Sequence, residues 1–205
     1  MKFKSAVAGL SLVMCSSAFA GPITTLFGTG LSNTGSPLAD NQVDSHYTVN
    51  GGTAYSATAA GGYPFPYWTG AGWLAPSTDT FGPVGSYTYT TTFDLSAFDA
   101  STASIFGSWI SDDQGQGISL NGSAFSFSRG GWDSGRSNFS FTSGFVAGIN
   151  TLSFVVFNGG GPTGLDVDMT GTATNKPASV PEPSSLLLAT FGLLGLAAAR
   201  RRKKV

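Results

Sequence analysis

Residues 21–175 predict an all-β domain, a sandwich or a barrel, on three observations. Short runs of β-branched and aromatic residues recur between Gly, Asn, Asp and Pro. Several of these runs alternate apolar and polar residues with period two. No helical 3.6-residue pattern persists between Gly21 and Asn175, and no fixed-period repeat is visible.

The chain begins MKFKSAVAGLSLVMCSSAFA. Lys2 and Lys4 give a basic start, Ala6 to Met14 a short apolar run, and Ala18-Phe19-Ala20 a small-residue cleavage site. Residues 1–20 therefore read as a secretory signal peptide, cut by signal peptidase between Ala20 and Gly21. Cutting there removes Cys15, the one cysteine, which excludes a disulfide scaffold and a thiolate zinc site. A domain of about 160 residues buries about two thirds of its unfolded surface and folds without such staples.

The strands follow. Residues 50–85 are crowded with Gly, Ala, Pro, Tyr and Trp, and read as mostly loop with one or two short strands. Tyr87 to Leu95 alternates, with odd positions mostly apolar, so one face packs and the other meets water. Ala103 to Ile110 is a further strand, with Trp109 directed to the core. Ile118-Ser119-Leu120 runs into Asn121-Gly122, a hairpin turn that tolerates positive φ, with Ala124 to Ser128 as the return. Ser137 to Thr142 is the next strand. Thr151 to Asn158, TLSFVVFN, is apolar on both faces and reads as central. Leu165 to Thr170 alternates again.

Seven of the ten bases lie in residues 1–20 and 200–204. Residues 21–178 keep Arg129, Arg136 and Lys176 against ten aspartates, a net charge of −7. That balance argues against nucleic acid and anionic membrane surfaces as partners. His46 is the only histidine, and no Gly-x-Ser-x-Gly occurs, so a hydrolytic triad lacks its parts. The domain is therefore expected not to be an enzyme. A paired-aspartate hydrolase is the alternative. Thr88, Thr90 and Thr92 line one strand face, but a flat ice-binding array needs several such strands, and no repeat supplies them.

Two sites are candidates for binding. Asp112-Asp113-Gln114-Gly115-Gln116-Gly117 offers carboxylates on a flexible turn, so Asp112 and Asp113 are either calcium ligands or turn caps. No other cofactor is expected. Loop aromatics suit a pyranose, whose apolar face lies on a ring while Asp, Asn or Arg bonds the hydroxyls. The candidates are Trp68, Trp73 and Trp132, with Arg129, Asp133 and Arg136 beside the last in RGGWDSGR. The competing reading of each ring is packing over the end of the sheet.

Residues 176–183 form a linker ending in Val180-Pro181-Glu182-Pro183. Ser184 to Ala199 carries no charge and, as a helix, would span roughly 24 Å of a hydrocarbon layer of about 30 Å. It reads as a short transmembrane segment, 184–199, stopped by the basic cytoplasmic tail 200–205. The flanking prolines keep Glu182 extended, outside the helix.

This order of parts resembles the PEP-CTERM sorting signal of Gram-negative bacteria. The resemblance implies processing by an exosortase, a transient inner-membrane anchor, and then the cell surface or an extracellular polysaccharide matrix. Within 85–172, Phe93-Asp94-Leu95, Trp109 to Asp112, Leu120-Asn121-Gly122, Gly148 to Leu152, Asn158 and Gly164-Leu165 together resemble galactose-binding-domain-like jelly rolls. That resemblance implies a β-sandwich of jelly-roll type. Such domains include carbohydrate-binding modules and often hold one structural calcium. The expectation is an exported, non-enzymatic carbohydrate- or exopolysaccharide-binding or structural domain. The alternatives are the aspartate hydrolase and a protein-binding adhesin.

Overall fold

The structure, a computed structural model, describes residues 19–57, 72–125, 131, 135–177, 189–194 and 200. The chain divides into a compact unit, Ser17–Lys176, and a second unit of Met1–Ser16 with Pro177–Val205. In the second unit, residues 189–194 are helical, with Phe191, Leu193 and Leu194 exposed. No helix among the described residues is long and apolar enough to cross a membrane. Most of the expected signal peptide and membrane segment lies outside the described residues.

The first unit is all antiparallel β. Its described strands are β1 (Ala20–Pro22), β2 (Val43–Val49), β3 (Gly52–Ala57), β4 (Trp73–Ala75), β5 (Gly85–Asp94) and β6 (Phe98–Asp112). They continue with β7 (Gln114–Leu120), β8 (Ser123–Phe125), β9 (Ser137–Phe141), β10 (Ile149–Asn158) and β11 (Gly164–Asn175). They form one sheet in the order β8-β7-β10-β5-β2-β3-β4-β11-β6-β9, with β1 also paired to β11.

The sheet curls until its two ends meet across the core. Phe125 on β8 and Phe141 on β9, from opposite ends of that order, pack edge to face with ring centroids 4.9 Å apart. Trp109 of β6 lies 5.9 Å from Phe154 of β10, and Phe139 of β9 lies 5.8 Å from the same ring. Aromatic pairs at this spacing add to what their buried area supplies.

Period two decides what enters the core. On β5, Tyr87, Tyr89 and Phe93 are buried and Thr88, Thr90 and Thr92 are not. On β10, Leu152, Phe154 and Val156 are fully buried, while Val155 and Phe157 are half-buried on the other face. That strand lies inside the sheet, between β7 and β5, as its double-faced apolarity predicts. The Asn121-Gly122 turn joins β7 to β8, with φ of 51° and 81°. Both residues occupy the left-handed region that a two-residue hairpin turn requires.

Two buried asparagines fasten the loops at either end of β10. Asn150 accepts the Val146 N–H through Oδ1 and donates to the carbonyls of Val146 and Gly148. Asn158 donates to the carbonyls of Gly82 and Pro83 and accepts the Gly160 N–H. Both side chains are wholly enclosed and hydrogen-bonded, so burial costs them little.

One expectation changes. The run from Asp112 to Gly117 is not a flexible turn: Asp112 ends β6, Gln114 starts β7, and only Asp113 lies between the strands. Gly115 and Gly117 pair with Val156 and Val155 on β10, and the two glycines flank a bulge in that ladder. Segment 50–85 supplies two short strands among its described residues, as its sequence predicts. It contains β3 and β4, which join β2 to β11 and so close the sheet between its halves.

Candidate functional site

The polar groups that the fold collects lie on the outer face of β11 and β6. On β11, Leu165 and Val167 point into the core, so Asp166 and Asp168 point outward. Asp168 is exposed, yet Asp166 is wholly buried. The cover comes from far along the chain. Thr29 N–H donates to the Val167 carbonyl at 2.9 Å, and Val167 N–H donates to Thr29 Oγ1 at 2.8 Å.

Arg136 supplies the counter-charge. Its Nη1 lies 3.1 Å from Asp166 Oδ1. Its Nε donates to Ser108 Oγ at 2.8 Å and its Nη2 to the Ser108 carbonyl at 3.0 Å. Burial pushes the Asp166 carboxyl up to about 6, although Arg136 and Thr29 pull it down. Desolvation of the charged form thus outweighs one partly exposed guanidinium.

Asp44 is the second buried carboxylate. Oδ2 accepts the Gly30 N–H and Oδ1 the His46 N–H, each at 2.8 Å. The His46 ring stacks on Phe27 at 3.8 Å, and its Nδ1 lies 3.2 Å from Asp44 Oδ1. Its Nε2 meets Asn33 Oδ1 at 2.9 Å, where a triad would place a nucleophilic hydroxyl. Tyr47 donates to the Phe27 carbonyl. Burial, and then Asp44 and Asp166, hold its phenol well above the ordinary value. These bonds tie residues 27–33 to the sheet.

The loop end of the sheet carries the carboxylate pair. Asp113 Oδ2 accepts the Gly159 N–H at 2.6 Å. Burial and the facing Asp113 carboxyl push Asp112 up to about 7. Calcium takes hard oxygens, and a cation would relieve this repulsion. No group of three His, Cys, Asp or Glu suited to a metal forms among the described residues. Asp112 and Asp113 thus stand as a carboxylate pair at the junction of β6 and β7, with Asp113 bonded to Gly159.

Of the sequence-predicted sugar contacts, Trp68, Arg129, Trp132 and Asp133 lie outside the described residues. Trp73 is corrected: it is 5% exposed and packs in a small cluster with Ala57, Ala75 and Ile110. A Cβ added at Gly164 would meet its ring at 2.9 Å, so this glycine lies close against the indole. Such a ring presents no open face to a sugar. Arg136 is placed, but its guanidinium is engaged with Ser108 and Asp166. Trp109 is fully buried, as its strand position predicts.

The first unit is therefore an all-β domain, a curled antiparallel sheet in which Asp44, His46, Arg136 and Asp166 are held in structural contacts. The chain also carries a PEP-CTERM protein-sorting motif, matched over residues 179–203. That motif implies export, transient sorting at the membrane and processing by an exosortase. No curated protein matches the chain. Among solved structures, the crystal structure of the Podospora anserina GH26-CBM35 beta-(1,4)-mannanase is similar at 18% identity and a TM-score of 0.31. The likeness covers 80% of this chain and 29% of that one, so the chain spans under a third of that protein's length.

Proposed function

We propose that this protein is delivered by an exosortase to the cell surface or extracellular matrix, where its β domain binds or organises polysaccharide without cleaving it. The observation that carries the reading is the sorting motif at residues 179–203, following a compact all-β unit. Residues 1–20 serve as the signal peptide in this reading, and 184–199 as the temporary membrane hold. The curled sheet is read as a jelly roll. Two features favour binding over hydrolysis. His46 is held between Asp44 and Asn33, and the buried Asp44 and Asp166 are enclosed by residues 27–33 and Arg136.

The test uses residues 21–176 and extracellular polysaccharide. Retention on the polymer with no release of reducing ends is expected. Release of reducing ends would establish the hydrolase. Retention on protein surfaces, indifferent to competing sugar, would establish the adhesin.

A further inference from the structure

The outer face of β6 holds one side chain that the fold does not explain. Phe106 is 56% exposed in mid-strand, between Ser104 and Ser108 on the same face. Its cross-strand neighbours are Thr170 on β11 and Ser140 on β9. The next row along the strands is Asn138, Ser108 and Asp168, again in register. Directly paired residues share a face, with strands about 4.8 Å apart and same-face rows about 6.7 Å apart. The result is a single aromatic ring set among hydroxyl, amide and carboxylate groups within one sugar's reach. An open hollow of ≈ 460 Å³ lies there, lined by Phe106, Gly107, Asn138, Phe139 and Ser140.

We infer that this three-stranded face, centred on Phe106, is a binding platform for one pyranose unit of a neutral polysaccharide. The inference rests on the carbohydrate-binding reading and gives it a location. The electron-rich ring face attracts the polarised C–H groups of a sugar's apolar side. Asn138 both donates and accepts, Ser140 and Thr170 do the same, and Asp168 accepts, which matches a ring of hydroxyls. A protein partner would favour a broader apolar patch than one phenyl group supplies. An acidic polymer is disfavoured by the exposed Asp168 and by the net charge of −7 over residues 21–178. Arg136, whose Nε holds Ser108 Oγ, already faces the Asp166 carboxylate.

The experiment is native electrophoresis of residues 21–176 through gels cast with dextran, xyloglucan or polygalacturonate. Retardation by a neutral polymer is expected, and none by polygalacturonate. Phe106→Ser should lose at least tenfold in affinity for the retarding polymer with an unchanged melting temperature, and Phe106→Tyr should restore it. Asn138→Ala should weaken retardation independently, which decides the matter if Phe106→Ser does not fold. Retardation of Phe106→Ser equal to wild type overturns this platform and leaves the binding reading standing. Retardation by polygalacturonate alone overturns the neutral ligand. Wild type that no polymer retards overturns the binding reading and the platform together.

Discussion

Arg136 is the residue on which the outer polar cluster turns. It faces a carboxylate that is wholly buried, and burial has already raised that carboxyl from 3.8 to about 6. A folded-state pKa raised in this way contributes stability that is full below about 3.8 and lost as pH rises through about 6. Arg136 limits that loss. Arg136→Ala should therefore cost about 3 kcal/mol at pH 8, where a charged Asp166 is left without its counter-ion. It should cost less at pH 5, where Asp166 takes up a proton. Thermal melts at the two pH values check this, and an equal loss at both would show that the charge of Asp166 is not what Arg136 compensates. The sequence displays Asp166 as an outward, solvated position in an alternating strand. Its burial depends on Thr29, which bonds the neighbouring Val167 from 138 residues away in sequence, and no local pattern carries that information. Trp73 fails to show itself for a different reason. Its strand has three residues, too few to reveal a period, whereas Trp109 sits in a fifteen-residue strand.

Among the elements, the long strands were legible. β5, β10 and β11 each carry enough alternating or doubly apolar residues for the period to fix their faces, and Asn121-Gly122 fixes a register. β2, β3 and β4 were less so, because the β2–β3 pairing is interrupted by a shift between Val43 and Thr48 and β4 has only three residues. The run after Asp112 misled for a related reason. Gly115 and Gly117 look like turn residues in sequence, but here they flank a bulge in a ladder, where small residues are equally at home. The junction of β6 and β7 sets Asp112 against Asp113, and calcium is the test of that junction. A calcium site would add about 2.7 kcal/mol at a hundredfold excess of ion over its dissociation constant. The expected outcome is a melting temperature that rises with calcium, falls back with chelator, and responds to neither in Asp112→Asn. A wild-type melting temperature indifferent to both would leave the pair as a strand junction bonded to Gly159.

At the scale of the whole molecule, the sorting motif was legible because it is written in local chemistry: a proline-flanked acid, an uncharged stretch and a basic end. The Phe106 face was not, because its groups come from three strands whose order cannot be read from the chain. Sorting itself is open to test. Glu182→Ala or Pro183→Ala should leave unprocessed precursor in the membrane fraction, and the same mature mass from wild type and both variants would overturn exosortase processing.

β11 is the last strand of the compact unit, and at its end Asn175 N–H donates to the Phe19 carbonyl and Lys176 N–H to that of Ala97. Any pull on the chain's C-terminal side thus enters the domain along β11. That strand pairs with β6 from Gly164 opposite Asp112 to Thr172 opposite Ser104 and, after a register shift, from Thr174 opposite Asp99 to Asn175 opposite Phe98, and ladder bonds run perpendicular to their strands. If the domain is gripped on β6 and drawn from its tail, the tension runs across those bonds and loads them together in shear. Tension along the chain is then shared among many bonds of the ladder from Gly164 to Thr172. How long the domain survives is set by its unfolding rate under force, which its equilibrium stability does not fix.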